Sequence, residues 1–221
     1  MFNVIRPVDG PSCLLNGSVY NQPEVVIALK STFHGKCYLC ERNEIQDVEV
    51  EHFIPQESGG GRMDWGNLFY SCSRCNSIKG HGHLNLLDCT DSSINVSREI
   101  RLKIFPTPDS DVLVESVSST PRIETINTVT LLKLCYNSCN TALRGVSREA
   151  LVEQVFEHMC TFINARRLLK NPSTGRSIRQ GALETIEAML DARHPFSAFW
   201  RWQYLDDSFL TTNHPELGRL F

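Results

Sequence analysis

The stretches CYLCERNEIQDVEVEHFIPQ (residues 37–56) and NLFYSCSRCNSIKG (residues 67–80) decide the fold that we expect for this chain. Each contains one C-x-x-C pair, and two such pairs are typical of a tetrahedral zinc site with four thiolate ligands. The predicted ligands are Cys37, Cys40, Cys72 and Cys75. A plain zinc ribbon leaves roughly 15–20 residues between its pairs. The longer interval here predicts that the zinc ion clamps the base of an inserted hairpin.

Cysteine usage along the rest of the chain supports metal binding rather than a disulfide framework. The chain has nine cysteines, an odd number, and five of them lack the paired spacing. A structural zinc ion contributes about 10–16 kcal/mol to the folding of small modules, which would offset a thin core between residues 36 and 80. The alternative is that the four paired cysteines are reduced and metal-free.

The overall composition is that of an ordinary soluble protein. Of 221 residues, 41% are hydrophobic and 21% are charged. The opening MFNVIRPVDG lacks the apolar stretch of a signal peptide, and no apolar run is long enough to span a membrane. We therefore expect a cytoplasmic protein.

Local patterns place the quoted motifs on secondary structure. VEVEHFI (48–54) alternates and contains β-branched residues, which predicts a strand. SCSRCNSIKG (71–80) opens with a serine cap and closes on glycine, which predicts a short helix. From about residue 124, apolar residues recur at helical spacing. The aromatic segment FSAFWRWQYLDDSFL (196–210) is expected to fill the chain's own core or to contact a partner; the sequence leaves both open.

The order of these motifs resembles that of the HNH nucleases: C-x-x-C, acid–His near a strand end, Asn-Leu, and C-x-x-C-N-x-x-K. The resemblance implies an α+β fold in which a zinc-stabilised ββα-metal nuclease module precedes a mainly α-helical C-terminal region. It also implies that the first strand presents Glu51 and His52, that the loop carries Asn67, and that the following helix carries Asn76.

These residue types suit the hydrolysis of a phosphodiester. Histidine can be neutral and accept a proton from water at cellular pH, so His52 is the candidate base. Glu51 and Asn76 offer hard oxygen ligands for catalytic Mg²⁺ or Mn²⁺. Asn67 would fix the orientation of the histidine, and Lys79 would meet a substrate phosphate. Many HNH sites carry aspartate where Glu51 stands, and its longer side chain leaves the distance to the metal open.

Each of these roles has a simpler structural alternative. Asn67 can serve turn chemistry alone, Asn76 can be a plain helix cap, and Lys79 can lie on a solvated helix face. His81 and His83, in the GHGH stretch, are expected to be an exposed loop rather than ligands.

A narrower resemblance extends beyond the nuclease motif. The segments IRP near the start, CYLCE, VEVEHFIPQ, WGNL, CSRCNSIKG and LLD (86–88) are similar to the Septu-type and retron-associated HNH proteins called PtuB. That resemblance implies antiphage defence together with an ATPase subunit, PtuA. In some of these systems it implies a reverse transcriptase and its msDNA as well.

We divide the chain into four parts on this basis. Residues 1–33 form an N-terminal segment that packs on the nuclease module, which itself spans residues 34–90 and holds the structural zinc. Residues 91–123 form a connecting hairpin or an irregular segment. Residues 124–221 form a helical region for partner or substrate binding.

The charge distribution is unusual for a nuclease. The net charge is −3, whereas grip on a polyanion comes mainly from lysine and arginine. Residues 34–85 hold five basic and seven acidic residues, but residues 144–179 hold seven basic and three acidic ones. The seven are Arg144, Arg148, Arg166, Arg167, Lys170, Arg176 and Arg179. We therefore expect grip on nucleic acid to come from the later helices or from a partner.

Two functions from different classes follow. The first is a metal-dependent nuclease that cuts nucleic acid as the effector subunit of a defence complex. The second is a catalytically inactive, zinc-bearing module that binds nucleic acid or protein. Sequence-specific restriction or homing ranks below both, because no basic recognition helix is evident. The substrate is open between DNA and an RNA such as a tRNA, because attack by water needs nothing from the 2′-hydroxyl.

Overall fold

The computed structural model of this chain describes residues 1–16, 19–107, 109–139 and 145–221. Arg144, one of the seven basic residues named above, lies outside the described residues. The helices are α1 (Cys13–Asn16), α2 (Pro23–Thr32), α3 (Ser73–Lys79), α4 (Val96–Glu99), α5 (Ile123–Asn137), α6 (Arg148–Lys170), α7 (Arg176–Leu190), α8 (Ser197–Leu205) and α9 (Ser208–Asn213). The strands are β1 (Val48–His52), β2 (Leu68–Cys72), β3 (Ile100–Lys103) and β4 (Leu113–Ser116). Helices and two small sheets together confirm the expected α+β class.

A ββα unit forms the centre of the first half of the chain. Strands β1 and β2 pair antiparallel, with Val48 opposite Cys72 and His52 opposite Leu68. Helix α3 follows β2 without a connecting loop. All five residues of β2 are buried, so this strand fills the core while β1 lies closer to the surface. The inserted hairpin predicted from the spacing of the cysteine pairs is therefore present.

The start of α3 differs in detail from the sequence-based expectation. Ser71, the expected serine cap, lies within β2, and Cys72 occupies the N-cap position without a capping side-chain bond. Asp47 supplies the cap from another part of the chain, because its carboxylate accepts hydrogen bonds from the Ser73 backbone N–H (3.1 Å) and hydroxyl (2.5 Å). Arg42 pairs with the same carboxylate at 2.5 Å. Local sequence could not reveal this cap, because the donor and the acceptor are far apart in the chain.

A second hairpin occupies the connecting segment. Strands β3 and β4 pair antiparallel, with Ile100 opposite Ser116 and Lys103 opposite Leu113. Buried and half-buried residues alternate along β3, so one face packs inwards. Helix α8 covers this hairpin, and the Trp202 indole N–H donates to the Ile100 carbonyl at 2.8 Å.

The C-terminal aromatic segment belongs to the chain's own core. Phe196, Phe199, Trp200 and Tyr204 are each at most 3% exposed. Their rings contact one another and residues of α5 and α6: Phe199 meets Tyr136 edge-on with ring centroids 5.3 Å apart, for example. Of the two roles left open by the sequence, these four side chains therefore serve internal packing.

The helical region packs directly against the cysteine-rich end of the nuclease module. The Tyr136 hydroxyl on α5 donates to the Cys40 carbonyl at 2.9 Å. In return, Arg74 on α3 of the nuclease module donates to the carbonyl of Cys135 on α5 at 3.2 Å. Glu41 is fully buried and accepts from the Ser197 hydroxyl at the start of α8. The buried apolar residues of both halves consequently form one continuous core.

The N-terminal segment is anchored to the same core. The Arg6 guanidinium donates to the carbonyls of Trp65 and Leu68, and the Trp65 indole donates to the Pro7 carbonyl. Among the described helices, none combines the length and the apolar character needed to cross a membrane.

Candidate functional site

The four paired cysteines converge on one point. Their Sγ atoms all lie within 4.8 Å of one another, and all four side chains are buried. The Sγ atoms of Cys40 and Cys72 are 3.9 Å apart. A tetrahedral zinc site with bonds of 2.3 Å has sulfur–sulfur edges of about 3.8 Å, so the donor set fits zinc. Four protein ligands leave no open position, which is the arrangement of a structural rather than a catalytic site.

A polar cleft of about 330 Å³ opens beside this cluster, between β1 and the end of α3. The side chains in its wall that bear on the chemistry are Tyr20, Glu49, Glu51, His52, Asn76 and His81. The structure therefore brings together three of the predicted site residues, Glu51, His52 and Asn76. Successive residues of a strand point to opposite faces, and the cleft reaches both Glu51 and His52 because β1 ends at His52.

The imidazole of His52 is held by a backbone carbonyl. Its Nε2 lies 3.0 Å from the carbonyl oxygen of Arg62. A carbonyl can only accept, so this contact assigns the proton to Nε2 and leaves the lone pair on Nδ1. The side-chain amide of Gln56 lies 3.4 Å from Nδ1. The lone pair of His52 is therefore on Nδ1, on the side of Gln56.

Glu51 and Lys79 form a buried ion pair. Lys79 Nζ lies 2.6 Å from Glu51 Oε1 and donates to the His52 carbonyl at 3.0 Å. Burial raises the pKa of Glu51 to about 7, even though the charge of Lys79 and its hydrogen bond act in the opposite direction. Lys79 is 1% exposed, so the predicted contact between Lys79 and a phosphate stays a prediction that requires this pair to open. Glu51 keeps its second oxygen, Oε2, as a possible metal ligand.

Asn76 is oriented by Glu49, a residue that the sequence analysis missed. The Asn76 side-chain amide donates from Nδ2 to Glu49 Oε2. Because the amide nitrogen faces a carboxylate, Oδ1 is left as the free donor atom for a cation. Glu49 lies two residues before Glu51 on β1, hence on the same face. The alternation VEVEH contained that signal.

Asn67 fastens the loop between β1 and β2. Its Oδ1 accepts from the Ile54 N–H at 2.7 Å, and its Nδ2 donates to the carbonyls of Ile54 (2.9 Å) and Gly61 (3.3 Å). Gly61 immediately precedes Arg62, whose carbonyl orients His52. The contacts of Asn67 are thus those of a loop clamp that acts on His52 through the backbone.

Two further contacts at the cleft could not be read from the sequence. Tyr20, which is distant from His52 in the sequence, contacts the His52 ring edge-on with ring centroids 4.5 Å apart. His81, expected in an exposed loop, is exposed and lies 3.5 Å from Glu57 at the rim of the cleft. His83 is half-buried and is not part of the cleft wall.

The class of the module follows from a comparison with known families. Residues 37–87 match the family model described as HNH endonuclease. That range contains the four cysteines, both strands of the ββα unit and every predicted site residue. The chain therefore carries an HNH domain, as its motifs predicted.

One curated protein is similar in sequence to part of this chain. Septu protein PtuB from Bacillus thuringiensis is 40% identical to this chain over 72 residues. The match covers 30% of this chain and 28% of that protein, so most of both lies outside it. No solved structure matches the chain.

Proposed function

We propose that this chain is a metal-dependent HNH nuclease that hydrolyses phosphodiester bonds of nucleic acid. One observation carries the proposal: within the HNH match, His52, Glu51 and Asn76 line one polar cleft beside a cluster of four buried cysteines. A base and two oxygen ligands in one cleft are the groups that phosphodiester hydrolysis by water requires.

Each residue has a defined part in that chemistry. His52 Nδ1 accepts a proton from the attacking water, while the Arg62 carbonyl holds the ring in the required tautomer. Glu51 and Asn76 would hold Mg²⁺ or Mn²⁺, with Lys79 and Glu49 fixing the two ligand side chains. When bound, the divalent cation supplies positive charge for the phosphate and the leaving oxygen. Zinc on the four cysteines keeps β2 and α3 in place.

The helical region supplies grip on the substrate in this proposal. Residues 158–183, around the turn between α6 and α7, contain five basic residues and no acidic one. Four of these, Arg167, Lys170, Arg176 and Arg179, are exposed. Helix α6 has 23 residues and is therefore about 34 Å long. Its beginning lies beside the nuclease module, because a Cβ on Gly145 would be 2.4 Å from the Asp47 carboxylate.

The biological setting is proposed from the relative and from the resemblance of the motifs. A match to a Septu protein favours an effector subunit in antiphage defence. The ATPase PtuA would then be the partner that presents the substrate or controls the cleft. A reverse transcriptase and its msDNA belong to the same proposal for retron-type systems.

The decisive experiment replaces the proposed base. We expect His52→Ala to lower the rate of cleavage by at least about 100-fold while zinc content and the melting temperature are retained. His83→Ala is the matched control, because His83 does not line the cleft, and it should cleave normally. Cleavage that persists in folded, zinc-loaded His52→Ala would remove His52 as the base.

The substrate is best identified with the purified chain, alone and with a PtuA-type ATPase. Labelled DNA and total RNA are incubated in parallel with Mg²⁺ or Mn²⁺, and the products are separated by size. Chelation of the divalent cation should stop the reaction. Cleavage of one nucleic acid and not the other would decide between DNA and RNA.

A second function is favoured by two contacts in the cleft. Glu51 is paired with Lys79, and Asn76 is bonded to Glu49, so both proposed ligands already have protein partners. A zinc-bearing binding module without catalysis would have this closed arrangement. It predicts binding of nucleic acid or protein that does not depend on Mg²⁺ or Mn²⁺, and no cleavage of either nucleic acid.

A further inference from the structure

The cleft is acidic, and all but one of the lysine and arginine side chains of the nuclease module are buried. Glu49, Glu51 and Glu57 line it. Residues 34–85 are all described, and their five basic residues are Lys36, Arg42, Arg62, Arg74 and Lys79. Four of these are buried, at 0%, 9%, 0% and 1% exposure for Lys36, Arg42, Arg74 and Lys79. Arg62 is the exposed cation of the module.

Arg62 also contacts the imidazole ring of His52 through its own backbone. Its carbonyl oxygen lies 3.0 Å from His52 Nε2. Its guanidinium carbon lies over the ring of Tyr20, 5.7 Å from the centroid. The same Tyr20 ring contacts His52 edge-on at 4.5 Å. A single aromatic ring therefore separates the guanidinium from the proposed base.

The charge of Arg62 is available to a ligand. Lys36, Arg42 and Lys79 form ion pairs with carboxylates, but Arg62 takes part in none of the ion pairs found in the described parts of the chain. The contact with the Tyr20 ring is not a hydrogen bond, and the guanidinium carries five N–H donors in a planar fork. Those donors match the oxygens of a phosphate in a bidentate arrangement.

We propose that Arg62 binds a phosphate of the nucleic-acid substrate at the mouth of the cleft and that Tyr20 is the positioning residue that holds Arg62 beside His52. The inference rests on the proposed nuclease function and adds a substrate contact to it. It gives Arg62 the role that the sequence analysis had assigned to Lys79, whose charge is buried against Glu51. The loop that orients the base would then also recognise the substrate.

The first experiment compares Arg62→Ala with Arg62→Lys in steady-state cleavage of a labelled DNA duplex, or of RNA if that is the substrate. Loss of a charged hydrogen bond should raise KM about tenfold or more with a smaller effect on kcat. The slope of log affinity against log salt should fall by about 1. Arg62→Lys keeps the charge and should restore the slope and part of the affinity. Both variants keep the backbone carbonyl that orients His52.

Arg219→Ala is the matched control. It removes an exposed arginine from the C-terminal segment, so it changes the net charge by the same amount. The salt slope and KM of Arg219→Ala should equal those of the parent. An equal loss in both alanine variants would reduce the effect of Arg62 to general electrostatics and overturn the proposal.

Tyr20 is tested through its dependence on Arg62. Tyr20→Phe keeps the ring and should behave like the parent, whereas Tyr20→Ala should raise KM as Arg62→Ala does. The double variant Tyr20→Ala/Arg62→Ala should be no worse than Arg62→Ala alone, because two residues that act as one unit are not additive. Additive losses would contradict a positioning role for Tyr20.

The outcomes separate this inference from the proposed function. If the parent cleaves and Arg62→Ala keeps its KM and salt slope, the inference fails and the nuclease stands. If the parent does not cleave, direct binding of the labelled nucleic acid is measured instead. Binding that weakens in Arg62→Ala but not in Arg219→Ala would support the contact without catalysis. Binding that is unchanged or absent would overturn it.

Discussion

At the scale of single residues, burial and the charge of Lys79 shift the pKa of Glu51 in opposite directions. Burial favours the protonated carboxyl group and raises its pKa to about 7, while Lys79 favours the carboxylate. The pair is shielded from solvent, since the two side chains are 0% and 7% exposed. Removing one partner would leave an uncompensated charge in the interior. Lys79 therefore controls both the stability of the module and the charge state of a proposed metal ligand.

We expect Lys79→Met to lower the free energy of unfolding by about 3–5 kcal/mol, because Glu51 then lacks its partner. Adding Glu51→Gln should recover most of the loss, because a buried charge is no longer unpaired. Denaturant unfolding of both single variants and the double variant measures the coupling. Lys103→Met is the control, since its pair with Asp206 is solvent-exposed and is worth at most about 1 kcal/mol. A similarly small loss for Lys79→Met, with no further rise in the pKa of Glu51, would show that the buried pair does not form in solution.

The sequence indicated some of these residues and not others, for a physical reason. The four cysteines and His52 stand at fixed spacings within short motifs, so their identity as candidates follows from the chain alone. The partners of Glu51 and Asn76 depend on how α3 packs on β1. The approach of Tyr20 to His52 depends on contacts between distant parts of the chain. Such pairings are properties of the folded molecule: the alternation VEVEH places Glu49 on the face of Glu51, but it does not pair Glu49 with Asn76.

At the scale of elements, the loop between β1 and β2 sets the orientation of the His52 ring through the carbonyl of Arg62. Gly60 passes so close to its neighbours that an added Cβ would lie 1.8 Å from the Ile54 carbonyl oxygen and 2.8 Å from Asn67 Nδ2. Its own N–H donates to the Pro55 carbonyl at 3.0 Å. Only glycine allows this approach, so the clamp made by Asn67 requires glycine at position 60.

Gly60→Ala should force the loop away from Asn67 and displace the carbonyl of Arg62. We expect a loss of about 1–3 kcal/mol in the free energy of unfolding and a lower kcat from the misoriented His52. Gly82→Ala is the matched control, because a Cβ there meets nothing within 4 Å. Thermal unfolding and cleavage rates test both variants. Normal kcat in Gly60→Ala would mean that the loop does not orient the base.

A second element-scale prediction concerns the turn between α6 and α7. Lys170 ends α6 and Arg176 begins α7, and both are exposed. If this turn holds the substrate backbone, Lys170→Glu/Arg176→Glu should weaken binding about tenfold or more near physiological salt and reduce the salt slope. Lys133→Glu, an exposed reversal on α5 that changes half as much charge, should have well under half the effect. Fluorescence anisotropy over a salt series measures the affinity for labelled nucleic acid. Effects in proportion to the charge removed, whatever its position, would rule out the turn between α6 and α7 as a specific binding surface.

The elements themselves were more predictable than their packing. Alternation predicted β1, the serine and the closing glycine of SCSRCNSIKG predicted α3, and helical spacing predicted α5 to α7. The serine cap expected for α3 was wrong, because capping is supplied by Asp47 from across the module. Aromatic content alone could not decide whether residues 196–210 faced inwards, since burial depends on what α5 and α6 place opposite them.

At the scale of the whole molecule, the cluster of four cysteines lies where the two halves meet. Tyr136 and Arg74 link α5 to the residues around the cysteines, and Glu41 links them to α8. The continuous core then joins the helical region to the module that contains the four clustered cysteines. Loss of the metal should therefore affect helices that contain none of its ligands.

We expect zinc removal by a chelator, or Cys72→Ser, to lower the melting temperature by more than about 10 °C, from several kcal/mol of lost metal-binding energy. Helical circular dichroism and the fluorescence of Trp200 and Trp202 on α8 should change in the same transition as zinc release. Cys160→Ser, at an exposed cysteine outside the cluster, should melt like the parent. Two separate transitions, with α8 retained after zinc release, would contradict this coupling. The helical region would then be an independent domain, and metal loss would disable the cleft without unfolding the surface that holds the substrate.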